Sequence, residues 1–312
     1  MDGMEQYLAF DVGGSYIKYG VVRGDGMILS RGKTRTDSHL GAGHLLQQLF
    51  RVADETMPTT RLDGIGVSTT GIIDAERGLV LDEISSWIGG YNGTNIRQLL
   101  QQHTGLGVEI ENDVNCMALG ENWLGAARGC RNVVCMAIGT GIGGALLIDG
   151  ELYRGSRNMA MEVGRMPIFP SYLEDLASVR ALAYEYAKLA NVPSQEVDGL
   201  LVARREREGD AFAVRAFEQM CHYLAVGIAA LTSALTPDVF VLGGAITADR
   251  DLIDSRLRRA LEGMLDRALW DSLDLRYATL GNDAGLVGAV RHYRLMREKR
   301  AMMEGEHGKA VC

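Results

Sequence analysis

Two glycine-rich turns, each lying between apolar strands, divide this sequence into two similar halves. In both halves a strand runs into a cluster of glycines, a second strand follows, and a tight turn leads into a third strand. The predicted strands span residues 7–11, 17–23 and 27–33, and then 133–138, 145–149 and 151–154. Because helices then alternate with buried strands, the sequence predicts an α/β fold whose two lobes share a duplicated βββαβαβα topology around a central cleft.

Apolar residues at helical spacing and short buried runs complete each half. Helices are predicted around residues 45–53 and over 95–103, 115–124, 173–189, 210–235, 252–265 and 285–297. Buried strands are predicted over 62–68, 108–112, 239–242 and 275–278. Apolar residues in 69–92 recur with neither helical nor strand periodicity, which indicates a long functional loop. The polar tail beyond Glu298 is expected to fray.

Composition narrows the class of protein. A chain of 312 residues with 47% hydrophobic and 23% charged residues is typical of a globular protein, and a net charge of −8 argues against a nucleic-acid-binding surface. The five cysteines are an odd number without a C-x-x-C pair, so neither a disulfide framework nor a zinc knuckle is indicated. With no predicted signal peptide or membrane span, we expect a cytoplasmic protein.

The first glycine turn follows an acidic residue at the end of a strand. Gly13 and Gly14 lack the Cβ atoms that would block a close approach, and consecutive backbone N–H groups at such a turn can bind a phosphate. Asp11 would suit Mg²⁺ held through water, because Mg²⁺ gives up its hydration shell reluctantly. An ordinary hairpin, whose glycines serve only the turn, explains this stretch equally well.

The second glycine turn matches a dinucleotide-binding pattern in its residues but not in the secondary structure predicted around them. Gly139, Gly141 and Gly144 fit G-x-G-x-x-G, but a strand follows them where that fingerprint requires a helix. No Walker-type P-loop occurs in the chain. Two glycine hairpins facing each other across a cleft would instead hold a nucleoside triphosphate between the lobes.

Three acidic residues are candidates for the chemistry. Asp113 ends a predicted strand before a helix, where its carboxylate could accept the proton of a hydroxyl that attacks a γ-phosphate, although an N-cap role is favoured on local grounds. Glu162 and Glu174 could accept paired hydrogen bonds from sugar hydroxyls. In isolation, each would more often be a surface residue or, for Glu174, an acid in the first turn of a helix that is favoured by the helix dipole.

An ordered series of motifs resembles the ROK family of bacterial sugar kinases, which belongs to the actin-like, hexokinase-like ATPase superfamily. The resemblance extends from Tyr7 to about Arg294. Its motifs are DVGGSYIKYG, STTGIID, ENDVNCMALGE, AIGTGIGGALLIDGELYRG, EVGRM, LEDLAS, VFVLGGAI and GNDAGLVGAV.

The resemblance implies a role for each matching residue. The implied nucleotide-binding residues are Asp11, Gly13, Gly14, Ser15, Lys18, Gly139, Thr140, Gly141, Gly143, Gly243 and Gly244, with Mg²⁺ held through water at Asp11. The implied sugar-binding residues are Thr70, Gly71, Asn112, Asp113, Glu162, Arg165 and Glu174. Asp113 would be the catalytic base.

The chain departs from the family between its two sugar-binding glutamates. Many members have E-x-G-H followed by a zinc cluster of cysteines, whereas here Arg165 takes the position of the histidine and no cysteine occurs from Met136 to Met220. We therefore expect no structural zinc. Arg165 can instead donate to a sugar oxygen or to a neighbouring carboxylate. This arrangement is similar to that of β-glucoside kinases and some related glucokinases.

The resemblance implies an ATP- and Mg²⁺-dependent kinase that phosphorylates the 6-hydroxyl of glucose or of a β-glucoside such as cellobiose. An N-acetylmannosamine kinase is the alternative, and a sugar-sensing regulator without its DNA-binding domain belongs to a different class. The partners would be a sugar and ATP, with no nucleic acid or membrane, and the protein would form a homodimer. We expect a small lobe of residues 1–115 plus about 287–312, a large lobe of 116–286, and a hinge near Cys116 and Leu286.

Overall fold

The computed structural model describes residues 4–82 and 88–309, and side chains up to residue 303. The chain divides into two compact units. Unit 1 comprises Met1–Gly125, Ser156–Asn158 and Asn282–Cys312, and unit 2 comprises Ala126–Gly155 and Met159–Gly281. Among the described residues, no helix is both long and apolar enough to cross a bilayer.

Unit 1 opens with three strands and continues with alternating helices and strands. Its elements are β1 (Gln6–Val12), β2 (Tyr16–Arg23), β3 (Gly32–Arg35), α1 (Gly41–Thr56), β4 (Gly64–Thr69), β5 (Ile72–Asp74), β6 (Leu79–Asp82), α2 (Ile96–Thr104), β7 (Val108–Asn112) and α3 (Asp113–Leu124). The sheet order is β3-β2-β1-β4-β7, with β1, β4 and β7 parallel. All six residues of β4 are buried, as expected for a central strand covered on both faces.

Unit 2 repeats this arrangement and adds helices. Its elements are β8 (Val133–Ile138), β9 (Ile142–Ile148), β10 (Glu151–Leu152), β11 (Pro167–Ile168), β12 (Ser171–Tyr172), α4 (Leu173–Ala177), α5 (Val179–Ala190), α6 (Gly199–Arg207), α7 (Ala211–Leu235), β13 (Val239–Gly243), α8 (Arg250–Glu262), α9 (Arg267–Ser272) and β14 (Leu275–Tyr277). The sheet order is β10-β9-β8-β13-β14, which matches unit 1 strand for strand. The predicted duplication is therefore confirmed.

The chain returns to unit 1 with its last helix, α10 (Ala284–Lys309). This helix packs closely on the sheet and on α3. A Cβ added to Gly66 of β4 would lie 2.6 Å from the carbonyl oxygen of Ala289 on α10, and one added to Gly288 would lie 1.8 Å from the carbonyl oxygen of Cys116 on α3. Glycines thus allow backbone-to-backbone contact at the centre of this unit.

The third strand of unit 1 differs from the prediction. The structure forms β3 over Gly32–Arg35, whereas the sequence predicted a strand over 27–33. The amides of Leu29 and Ser30 both donate to the carbonyl oxygen of Val21, at 2.8 and 3.4 Å, so regular pairing is interrupted there. An apolar run alone could not reveal this irregularity.

Three other predictions were wrong in part. The helix expected over 173–189 is two helices, because Ser178 is extended and its hydroxyl caps α5 by accepting from the Ala181 amide. The loop expected over 69–92 contains the β5–β6 hairpin, and its residues 83–87 lie outside the described part of the chain. The tail expected to fray beyond Glu298 continues as helix to Lys309.

Candidate active site

Polar residues gather at the carboxyl ends of three adjacent parallel strands in unit 1. The register pairs Asp11 of β1 with Ser68 of β4, and Ser68 with Glu111 of β7. One residue further along, Val12, Thr69 and Asn112 are paired in the same way. The carboxyl edge of an open α/β sheet is where ligands commonly bind, so this edge is the candidate site of unit 1.

Asp11 is held by two side chains and by a close glycine contact. Its Oδ1 accepts from Ser68 Oγ at 2.8 Å, and its Oδ2 lies 3.2 Å from Lys18 Nζ. A Cβ on Gly285, at the start of α10, would lie 2.5 Å from Asp11 Cγ. A carboxylate has about four acceptor sites, so these contacts leave capacity for a water bound to Mg²⁺. The residues around Asp11 therefore fit the predicted metal role.

The first glycine turn uses one of its amides internally. Gly13 N donates to Tyr16 O at 3.0 Å, while Gly13 O accepts from Thr36 Oγ1 at 2.6 Å. In the described part of the chain, the amides of Gly14 and Ser15 donate to no protein acceptor. The amides of Gly14 and Ser15 are therefore available to bind a phosphate, whereas the amide of Gly13 is not.

Asn112, and not Asp113, caps α3. Asn112 Oδ1 accepts from the amides of Val114 and Asn115 at 2.9 and 3.1 Å, and Asn112 Nδ2 donates to Gly71 O at 3.0 Å. The helix begins at Asp113, two residues before the predicted start, and Asp113 Oδ1 accepts from the Val114 amide at 2.9 Å. The N-cap interpretation of Asp113 was therefore wrong.

Glu111, the first residue of the ENDVNCMALGE motif, has a structural role that its sequence position did not predict. Its carboxylate is fully buried; Oε1 accepts from the Asn112 amide at 2.8 Å and from Asn115 Nδ2 at 3.0 Å. Its Oε2 lies 3.9 Å from Nδ1 of the buried His292. Glu111 thus holds the backbone that leads into Asp113.

Ser68, which binds Asp11, was also given no role in the prediction. The only sequence signal for its burial is the apolar stretch that precedes it.

The second glycine turn and the Gly243–Gly244 pair come together in unit 2. Gly139 N donates to Gly141 O at 2.9 Å, and the structure leaves open space beside the Gly139 Cα. Gly243 pairs with Ala137 on the adjacent parallel strand. Gly244 has φ 83°, and a Cβ there would lie 2.5 Å from Ile138 O. The predicted nucleotide-binding glycines of this unit therefore share one sheet edge.

Glu174 lies beside this turn, and Glu162 and Arg165 lie near Glu174. Glu174 Oε2 would be 2.8 Å from a Cβ on Gly141 and 3.2 Å from one on Gly164. Arg165 ends a 3₁₀ turn, Val163–Arg165, and its Nε lies 3.6 Å from Glu174 Oε1. Burial raises the pKa of Glu162, the negative charge of Glu174 raises it further, and the positive charge of Arg165 lowers it. Unit 2 thus gathers all three predicted residues.

Glu162→Gln should change how stability depends on pH. A carboxyl whose folded pKa lies above its ordinary value of 4.5 favours folding below that value and loses the contribution as pH rises through the folded pKa. The glutamine variant should therefore gain free energy of unfolding relative to the wild type as pH rises above about 4.5, and then reach a plateau. Urea unfolding between about pH 4 and 8 measures this difference.

Arg165→Met provides the paired variant for this measurement. Removing the cation should raise the pKa of Glu162 further, so the pH-dependent loss of stability should extend to higher pH than in the wild type. A difference between Glu162→Gln and the wild type that is independent of pH would contradict the assignment.

Residues 7–294 match the sequence model of the ROK family. The chain belongs to the ROK family. A β-glucoside kinase from Listeria monocytogenes is 32% identical over 300 residues, covering 94% of this chain and 98% of that protein. A solved structure described as a proposed N-acetylmannosamine kinase from the same species has a TM-score of 0.83 and 30% identity, covering 94% of this chain and 99% of that one.

A further ROK structure contains ligands. It is a ROK family glucokinase from Streptomyces griseus in complex with glucose and AMPPNP, with a TM-score of 0.78 and 28% identity, covering 92% of this chain and 98% of that one. These likenesses confirm the predicted actin-like, hexokinase-like ATPase fold of this ROK chain.

Proposed function

We propose that this ROK family member is an ATP-dependent sugar kinase that transfers the γ-phosphoryl group of ATP to the 6-hydroxyl of glucose or of a β-glucoside such as cellobiose. The observation that carries the proposal is the strand edge of unit 1, where Asp11 lies near the carboxyl end of β1 and Asp113 follows β7, the two parallel strands that flank β4. Relatives that are glucokinases and β-glucoside kinases support the same activity.

ATP and Mg²⁺ are assigned to residues whose surroundings fit them. The amides of Gly14 and Ser15 in unit 1, and the open Gly139–Gly143 turn in unit 2, would bind phosphate oxygens. Gly243 and Gly244 would border the adenosine, and Lys18, whose Nζ lies 3.2 Å from Asp11 Oδ2, would place a positive charge beside the phosphates. Mg²⁺ bound through water at Asp11 would neutralise charge on the transferring phosphoryl group.

Asp113 would act as the base of the reaction. The sugar 6-oxygen attacks the γ-phosphorus, the bond from that phosphorus to the ADP oxygen breaks, and the hydroxyl proton passes to the Asp113 carboxylate. Asn112 supplies the helix cap, so Asp113 is not needed for that purpose. Glu111 holds the connecting backbone and thereby orients the base.

The proposed sugar-binding residues form one group in unit 1 and another in unit 2. Asn112 Nδ2 donates to Gly71 O, and the Thr70 amide donates to Val12 O at 3.3 Å, so these residues are ordered before a sugar binds. In unit 2, Glu162 and Glu174 would accept hydrogen bonds from sugar hydroxyls, and Arg165 would donate one. Ordering before binding lowers the entropy lost when the substrate is bound.

A second candidate is an N-acetylmannosamine kinase. It is favoured by the structure described as a proposed N-acetylmannosamine kinase, which matches this chain with a TM-score of 0.83. The phosphate and base residues would keep the same roles, and only the sugar contacts would differ.

A coupled ADP-release assay with ATP and Mg²⁺ tests both candidates. The panel contains glucose, cellobiose, gentiobiose, N-acetylmannosamine and N-acetylglucosamine. We expect the highest kcat/KM with glucose or a β-linked disaccharide. A preference for N-acetylmannosamine would assign the alternative, and no ADP release with any sugar from folded protein would contradict kinase activity.

The cytoplasmic location, the homodimer and the lobe boundaries remain proposals. Size-exclusion chromatography with light scattering tests the homodimer. A mass of one chain, 33.9 kDa, would contradict it.

A further inference from the structure

A short hairpin in unit 2 connects Arg165 to Glu174. It is formed by β11 (Pro167–Ile168) and β12 (Ser171–Tyr172), with Phe169 and Pro170 at its tip. We propose that this hairpin is a subsite for the second ring of a β-linked glucoside, with the Phe169 ring as its stacking surface. This inference rests on the proposed function and names the substrate class of the same site.

The base of the hairpin lies at the acidic residues. Leu173 N donates to Met166 O at 3.0 Å, which closes the hairpin between Arg165 and Glu174. The preceding turn is pressed against β9, since a Cβ on Gly164 would lie within 2.2 Å of Ile142 O. Ser171 Oγ donates to Asp175 Oδ2 at 3.0 Å, which ties the second strand to α4. The hairpin is therefore fixed where it meets the sugar-binding residues.

The length of the hairpin is close to that of a disaccharide. Phe169 is three residues beyond Met166, and extended backbone rises about 3.3 Å per residue, so the tip is about 10 Å from the base of the hairpin. A single sugar ring bound at Glu174 would be too short to extend along the whole hairpin. A disaccharide whose first ring is bound at Glu174 would be long enough.

The tip of the hairpin carries an aromatic ring that is almost fully exposed. The Phe169 residue is 95% exposed and Tyr172 is 45% exposed. Tyr184, exposed to 64%, has a hydroxyl that water can satisfy, whereas Phe169 has none and is more exposed than Phe212, the side chain of which is also without a hydroxyl and is exposed to 43%. The apolar C–H face of a pyranose ring is a chemical match for such a ring, and ligand sites combine apolar surfaces of this kind with a few polar groups.

Arg165 adds a chemical reason to expect a glycoside. Its guanidinium carries five donors and no acceptor, its side chain is 47% exposed, and 3.6 Å to Glu174 is longer than a hydrogen bond. A glycosidic oxygen can only accept, so a donor-only group tolerates it, whereas a carboxylate at the same place would require a free hydroxyl. Arg165 and Phe169 therefore favour the same substrate class.

Phe169→Ala tests the proposal, with Tyr184→Ala as the matched control on an exposed aromatic of α5. We expect kcat/KM for cellobiose to fall about 5- to 20-fold, mainly through KM, because a stacking contact is lost. Glucose should change less than twofold. Phe169→Trp should restore the value for cellobiose, and Tyr184→Ala should leave both sugars unchanged.

Binding measured without ATP separates this inference from the proposed function. Isothermal titration with cellobiose and with glucose should show weaker cellobiose binding in Phe169→Ala, even if no sugar is phosphorylated. Equal loss for both sugars, or no loss for cellobiose, would overturn the subsite. A shift of Phe169→Ala from dimer to monomer in size-exclusion chromatography would also overturn it, because the ring would then cover a second copy of the chain.

Discussion

Asp113→Asn is expected to lower kcat by about 10²–10⁴, with a smaller effect on KM. The asparagine retains an oxygen that can accept from the Val114 amide, as Asp113 Oδ1 does at 2.9 Å. Helix α3 should therefore start as before, capped by Asn112. What the variant loses is a carboxylate that can take a proton from the attacking hydroxyl. Single-turnover and steady-state ADP release with saturating sugar measure the loss.

Asp251→Asn is a suitable control for this variant. Asp251 also lies in the first turn of a helix, α8, but its carboxylate is paired with Arg207 at 2.9 Å on the surface of unit 2. We expect its kcat to stay within about twofold of the wild type. Retention of most activity by Asp113→Asn, with unchanged unfolding, would show that Asp113 is not the base.

Gly288→Ala is expected to lower the free energy of unfolding by about 3 kcal/mol or more. The added Cβ would lie 1.8 Å from the carbonyl oxygen and 2.4 Å from the carbonyl carbon of Cys116. These are backbone atoms of α3, so no rotamer change can relieve the contact, and the two helices must separate. Separation would expose apolar surface that α10 now buries against the sheet. Urea unfolding followed by circular dichroism measures the change.

Gly43→Ala is the matched control for stability. Gly43 lies in the first turn of α1, and a Cβ there would meet no atom within 4 Å. Alanine favours the helix over glycine, so this variant should be more stable by up to about 1 kcal/mol. If both alanine variants changed stability alike, the close contact between α3 and α10 would not be the cause.

Several elements could be predicted because their signal is local. Strand β8 was predicted with its observed bounds, since an apolar run of six residues between polar and glycine-rich segments has few alternatives. The duplicated strand order followed from the repeated turns. By contrast, Ser178 divides a continuous apolar pattern into two helices, and β3 starts late because Val21 O accepts two amides.

Sequence patterns indicated which residue types belong to the candidate site, but not how these residues are arranged in three dimensions. The local pattern could not decide between Asn112 and Asp113 as the cap of α3, because either side chain can accept from the first amides of a helix. The Arg165–Glu174 pair at 3.6 Å also had no local signal. It arises because the intervening hairpin folds back on itself.

The sequence by itself determined the repeated α/β pattern, the two glycine turns and the identity of the acids, because neighbouring residues set periodicity and turn formation. Tertiary structure decided that Ser68 binds Asp11 and that Gly288 contacts Cys116. The physical reason is that these contacts join residues far apart in the chain. They depend on strand register and on helix packing, which no local pattern encodes.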